Sequence, residues 1–185
     1  LGFADEERAA VARFWQTQSI APQAGLKAVD MFRAVANGRI RFIWVMATNP
    51  AVSMPDAGFV RAALAACEHV VVSDMIADTD TARLAHVRLP ALGWGEKDGT
   101  VTNSERVVSR QRPFMPMPGE ARADWRIICD VAIRMGFSAA FAFAEFATVT
   151  VVMFLVVVVV VIIAEDREDG ARRISEANEC ALVRI

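Results

Sequence analysis

The chain has 185 residues, 55% of them hydrophobic, with 20 basic and 22 acidic side chains and a net charge of −2. That length supports one core of ordinary size, and the near balance of charge argues against nucleic acid or anionic lipid as the main partner, leaving a discrete ligand. Cys67, Cys129 and Cys180 are odd in number and form no C-x-x-C pair, so they indicate neither a disulfide framework nor a metal site and fit a reducing, cytoplasmic compartment.

Residues 1–23 carry helical text in DEERAAVARFW and then a polar, Pro-containing connector; they read as the tail of a preceding domain. Leu1 stands where Met would open a gene and no secretory signal precedes the globular text, so an internal start and a fragment are expected. From Gly25, Leu26, Val29, Phe32 and Val35 recur at helical intervals and Asn37-Gly38 supplies a C-cap signature. RIRFIWVMA predicts a buried strand over 40–47. Ser53-Met54-Pro55-Asp56 then combines an N-cap serine, an early proline and an acid, predicting a helix from there to about Cys67, its N-terminus a candidate anion site. HVVVS follows as a second strand. Strand, helix and strand within this span make one crossover unit of a parallel sheet, which a third strand over 85–89 extends. ARADWRIICDVAIRMGF predicts a last helix with Trp125, Ile128, Ala132 and Met135 on one face and Gly136 at its end. The expected fold is α/β, a Rossmann-like parallel sheet with flanking helices, as a partial domain over 24–143.

In open α/β sheets, ligands bind beyond the carboxyl ends of the strands, which singles out Thr48-Asn49-Pro50 and Ser73-Asp74. Asn49 can donate and accept, and Asp74 can accept from ribose hydroxyls or a guanine ring. Each has a plainer reading: a turn residue before proline for Asn49, a cap or loop acid for Asp74. TNPAVSMPD occupies the place of a Gly-rich fingerprint, which disfavours ordinary NAD binding. In LPALGWGEKDGTVTNSER, Gly93, Gly95 and Gly99 allow positive φ and close backbone approach beside charged donors and acceptors; a surface hairpin turning at Lys97-Asp98-Gly99 is the alternative. Thr79 and Thr81 can cap the short helix that follows them, and Arg106, Arg110 and Arg112 either neutralise phosphates or form a solvated face. Cys67 and His86 read as structural residues.

These motifs, with FWQTQSIAP, GLKAVDMF, WVMATNPAVSMPD, VVVSD and SRQRPFMPMPGEARADW in this order, resemble molybdopterin oxidoreductases of the dimethyl sulfoxide reductase superfamily, with assimilatory nitrate reductase catalytic subunits nearest in likeness. The resemblance implies a domain that holds a molybdopterin guanine dinucleotide of a molybdenum bis(molybdopterin guanine dinucleotide) cofactor. Carried over by position, it implies cofactor contacts from Asn49, Ser73, Asp74, Lys97 and Asp124. It also implies that an iron–sulfur cluster and the molybdenum ligand lie in other parts of the intact enzyme, which would take electrons from a donor and reduce nitrate to nitrite; the fragment alone would be inactive. Val107 departs from the family's usual second arginine after SER. Formate dehydrogenase, or another superfamily oxidoreductase, is the alternative enzyme; a membrane-anchored nucleotide-binding module is the alternative of another class.

The likeness stops near Phe143. Residues 144–185 form a hydrophobic and charged tail, with 146–164 uncharged and including six consecutive valines. Its length reaches the span of a bilayer core, yet its flanks lack aromatic belts; a terminal anchor, an aggregation-prone strand and a shifted reading frame are the readings it admits.

Overall fold

The computed structural model describes residues 3–15 and 20–141. Helix α1 (Asp5–Trp15) opens with Asp5, Glu6 and Glu7, acids that complement the positive end of the helix dipole. Helix α2 (Ala28–Ala36) ends at Asn37, and Gly38 takes φ +76°, the left-handed turn that the C-cap signature requires. Strand β1 (Phe42–Met46) follows, then a single turn, α3 (Pro50–Ser53), helix α4 (Ala57–Ala66) and strand β2 (His69–Asp74). A 3-10 turn over Ala82–Leu84 leads to β3 (Val87–Pro90). The hairpin β4 (Gly99–Thr102) and β5 (Val108–Gln111) precedes α5 (Asp124–Arg134) and a last turn, α6 (Ser138–Phe141).

The expected parallel sheet is present, with order β1-β2-β3 and register Met46 to Ser73 and Asp74 to Pro90. A bridge from Ala91 to Arg122, closed by Leu92 N–H to Arg122 O at 3.0 Å and Arg122 N–H to Pro90 O at 3.1 Å, adds a fourth parallel position beyond β3. Side-chain alternation then divides the core. Ile43, Val45, Val70 and Val72 face α2 and α4, where Phe32 and Leu64 are fully buried; Trp44 and Met46 face the other way, onto Ile127 of α5. Because both faces are covered, FIWVM reads as an unbroken apolar run, as buried parallel strands do. Each such side chain stabilises the fold by about 1.5–3 kcal/mol.

Several expectations are corrected. In α2 Phe32 and Val35 are buried as expected, together with Met31 and Ala34, but Leu26 and Val29 are exposed. In α5 Ala132 is buried and Trp125 and Ile128 pack against the core as expected, beside buried Ile127 and Cys129, but Met135 is exposed at the helix end. Ser53 does not start the long helix. Pro50 begins a turn directly off β1, Ser53 Oγ donates back to Asn49 O at 3.1 Å, and Met54 is extended (φ −81°, ψ 148°), as a residue before proline prefers. The real cap is Asp56, at φ +52°, whose carboxylate accepts from Phe59 N–H at 3.1 Å; that carboxylate occupies the helix N-terminus proposed for an anion. The tail over 144–185, including the tract 146–164, lies outside the described residues. Among the described residues no helix is long and apolar enough to cross a membrane.

Candidate functional site

Four polar residues line the carboxyl edge of the sheet in strand order. Asn49 follows β1, Asp74 ends β2, Lys97 stands in the loop after β3, and Asp124 opens α5 just past the bridge at Arg122. The chain leaves β1 through Ala47, at φ +52°, a left-handed conformation that a non-glycine residue adopts at a cost of about 1–2 kcal/mol. This turn carries Asn49 off the strand and onto the edge.

Asn49 is half-buried and bonded in one direction. Its Oδ1 accepts from Thr81 N–H at 3.2 Å and from Thr81 Oγ at 2.6 Å, while Thr81 Oγ accepts from Ala51 N–H at 3.1 Å. Its Nδ2 makes no hydrogen bond among the described residues. Asp74 is half-buried, and one carboxylate oxygen accepts from Ile76 N–H at 3.1 Å, folding the segment after β2 into a turn. Lys97 Nζ donates to Asp124 Oδ2 at 2.9 Å, and this pair is largely shielded, with 27% and 14% side-chain exposure. It ties the glycine loop to the first turn of α5.

Ser73 does not join this set. Alternation along β2 turns its side chain toward the α5 face, where it is completely buried and its hydroxyl accepts from Trp44 Nε1 at 2.8 Å. The Ser73 hydroxyl is therefore bonded within the sheet rather than presented beside Asp74.

The glycine loop works by close approach. Gly93, Gly95 and Gly99 all avoid positive φ. A Cβ on Gly95 would lie 2.8 Å from Phe114 Cζ, and one on Gly93 would lie 3.3 Å from Glu96 Oε2. Glu96 Oε2 accepts from Gly93 N–H at 2.7 Å, closing a compact turn immediately before Lys97. Gly99 belongs to β4, and the hairpin turns at 103–107 rather than at Lys97-Asp98-Gly99, because Asn103 Oδ1 accepts from both Glu105 N–H and Val107 N–H at 3.0 Å. Arg110 forms a two-point pair with Asp98 at 2.9 and 2.8 Å, and Arg106 sits in the hairpin turn at φ +65°. The arginine cluster is thus drawn into the hairpin.

The remaining polar residues are held by local bonds. Thr79 Oγ1 accepts from Ala82 N–H at 3.1 Å, capping the 3-10 turn. Arg83 is held by Asp78 through two bonds of 2.7 and 2.8 Å, which lowers the Asp78 carboxyl below its ordinary pKa and raises that of Arg83. His86 Nδ1 accepts from Val70 N–H at 2.9 Å, joining β2 to the segment before β3. Burial raises the Cys67 thiol above its ordinary pKa, and Cys129 likewise. No group of three or more metal-ligating side chains occurs among the described residues. The sequence offered Thr81 as a cap for the short helix; its bond to Asn49, 32 residues away, had no local signal.

A parallel sheet with helices on both faces defines an α/β domain. The chain belongs to the molybdopterin oxidoreductase family, whose model matches residues 9–134. It is 54% identical to a nitrate reductase of Klebsiella oxytoca over 142 residues, which are 77% of this chain and 16% of the relative. It is 38% identical to the assimilatory nitrate reductase catalytic subunit of Bacillus subtilis, covering 76% and 20%, and 41% identical to the F420-dependent formate dehydrogenase subunit alpha of Methanocaldococcus jannaschii, covering 69% and 19%. The chain therefore spans about a fifth or less of these relatives. Acetylene hydratase from Pelobacter acetylenicus shares the fold, at TM-score 0.56 and 23% identity over 63% of this chain and 17% of that one.

Proposed function

We propose that this chain is part of a cytoplasmic molybdenum-dependent nitrate reductase and holds one molybdopterin guanine dinucleotide along the carboxyl edge of its sheet. The observation that carries the reading is the match to the family model over 9–134, a span that contains Asn49 after β1, Asp74 at the end of β2, Lys97 in the loop after β3 and Asp124 at the start of α5. Their chemistry fits such a ligand. Asn49 offers amide hydrogens to a phosphoryl or carbonyl oxygen, Asp74 and Asp124 accept from guanine N–H groups or ribose hydroxyls, and Lys97 adds positive charge. Gly93 and Gly95 let the loop that carries Lys97 pack against Glu96 and Phe114, where a Cβ would intrude. Ser73 is assigned to the sheet interior, where its hydroxyl holds Trp44 beneath the end of β2.

When bound, the molybdenum–pterin group would supply the two-electron chemistry by which nitrate and two protons give nitrite and water. An electron donor and an iron–sulfur cluster would be served by other parts of the longer protein. The part assigned to these residues is to bind and orient. Calorimetric titration of the chain with guanosine diphosphate, against adenosine diphosphate, tests the binding: a preference for the guanine ligand that Asp124→Ala and Asp74→Ala abolish is expected, and equal affinity for both ligands refutes it. Because formate dehydrogenase relatives reach 41% identity, the longer protein is assayed with both substrates. Nitrate reduction is expected; formate oxidation alone would reassign the substrate.

A further inference from the structure

We propose that Thr81 is a positioning residue that locks the Asn49 carboxamide with its oxygen inward and its nitrogen outward, so that Asn49 meets the ligand only as a hydrogen-bond donor. The inference rests on the dinucleotide-binding reading above and specifies which atoms of the ligand this corner can take. Three bonds fix the orientation. Ala51 N–H must donate, and at 3.1 Å it does so to Thr81 Oγ, leaving the Thr81 hydroxyl hydrogen for Asn49 Oδ1 at 2.6 Å. Thr81 N–H must also donate, and at 3.2 Å it too meets Asn49 Oδ1. A flipped carboxamide would set Nδ2 against that N–H, donor facing donor.

The lock is well placed to be rigid. Thr81 is completely buried, and Asn49, although it stands at the start of α3, makes no side-chain capping bond that would compete. Both lone pairs of Oδ1 are occupied, while the two hydrogens of Nδ2 have no partner among the described residues. What remains for a ligand is a pair of donor hydrogens, which take an acceptor: a phosphoryl oxygen or a ring carbonyl oxygen.

Nitrogen-15 NMR of the chain resolves the side-chain amide pair of Asn49, assigned by its loss in Asn49→Ala. Without ligand, this pair is expected to be well dispersed in the wild type and in Thr81→Ser, and to collapse toward the averaged position in Thr81→Val. Identical spectra in wild type and Thr81→Val overturn the lock. Guanosine diphosphate, guanosine and inorganic pyrophosphate are then titrated: movement of the Asn49 pair with guanosine assigns a base carbonyl, movement with pyrophosphate a phosphoryl oxygen.

Asn49→Asp keeps the oxygen that Thr81 grips and replaces the donor, so it tests the role without emptying the buried corner. It is expected to weaken guanosine diphosphate binding about tenfold or more, as is Thr81→Val, with Thr81→Ser near wild type. Undiminished binding by Asn49→Asp, or failure of Thr81→Ser to restore Thr81→Val, overturns the donor assignment. Absence of binding by the wild type with a dispersed, Thr81-dependent amide pair removes the dinucleotide reading and the donor role while leaving the lock in place, so the two failures are told apart.

Discussion

Ser73→Ala removes the acceptor of the Trp44 indole N–H without disturbing the apolar packing around it. Ser73 has no exposed surface, Trp44 is 4% exposed, and their bond is 2.8 Å long, so the orphaned N–H has no route to water. Leaving such a donor unpaired costs about 1–3 kcal/mol, and we place this one near 2. Trp44→Phe alone loses the donor and part of a buried ring, costing about 2–4 kcal/mol. In the Trp44→Phe background the Ser73 hydroxyl is itself without that partner, and Ser73→Ala becomes about neutral, giving a coupling of roughly 1–2 kcal/mol. Urea unfolding followed by far-ultraviolet circular dichroism measures all four corners of the cycle, with the slope checked for constancy. Guanosine diphosphate affinity of Ser73→Ala should match the wild type. If the two substitutions are additive, or if Ser73→Ala weakens binding while leaving stability unchanged, the residue belongs to the ligand edge and its assignment to the interior is wrong.

Gly38→Ala should destabilise by about 1 kcal/mol, since only the left-handed φ of +76° opposes it and a Cβ there meets nothing within 4 Å. Gly58→Ala, inside α4 with only Asp56 Oδ1 at 3.8 Å from the new carbon, should instead stabilise by about 0.5 kcal/mol; thermal melts of the two variants should move in opposite directions. Native iodoacetamide labelling followed by peptide mapping should leave Cys67 and Cys129 unmodified, and urea should expose both. Burial raises both thiol pKa values in the fold, so the folded state holds protons that the unfolded state has released; stability should be full below pH 9.0, the ordinary thiol value, and fall as pH rises through the folded values. Lys97→Met should cost about 1 kcal/mol, an amount between those of exposed and buried pairs, and the loss should shrink in high salt.

How much of this was legible in the sequence depended on how far apart the cooperating residues lay. FIWVM and HVVVS announced buried parallel strands because both faces are covered and branched residues run together. Gly38 and Gly136 announced helix ends because a left-handed residue is a local demand. Where two local signals competed, the sequence could not choose between them. Ser53 and Asp56 both suit a cap, and the decision came from Pro50 starting a turn early and Pro55 forcing Met54 to extend. Lys97-Asp98-Gly99 has the composition of a turn, yet Asn103 closes the hairpin by accepting two backbone bonds. The site divides the same way. Positions after strand ends followed from topology, whereas the bonds that distinguish Asn49 from Ser73 come from Thr81 and Trp44, separated from them by 32 and 29 residues.

The spacing of the edge constrains what can lie on it. Neighbouring strands stand about 4.8 Å apart, so the three intervals from β1 to the fourth position at Arg122 cover roughly 14 Å. Asn49 follows the strand at one end of that distance, Lys97 and Asp124, bonded to each other at 2.9 Å, belong to the other, and Asp74 ends the strand between. A single purine ring can reach one end or the other, not both, while an extended ligand with a base at one end and a pyrophosphate within it can touch the whole row. Guanosine should therefore perturb one end of the edge in NMR titrations, guanosine diphosphate should spread the perturbation toward the other, and inorganic pyrophosphate should move the remainder. If guanosine and pyrophosphate instead compete for the same residues, the four side chains form one compact pocket and an extended dinucleotide cannot be what they hold.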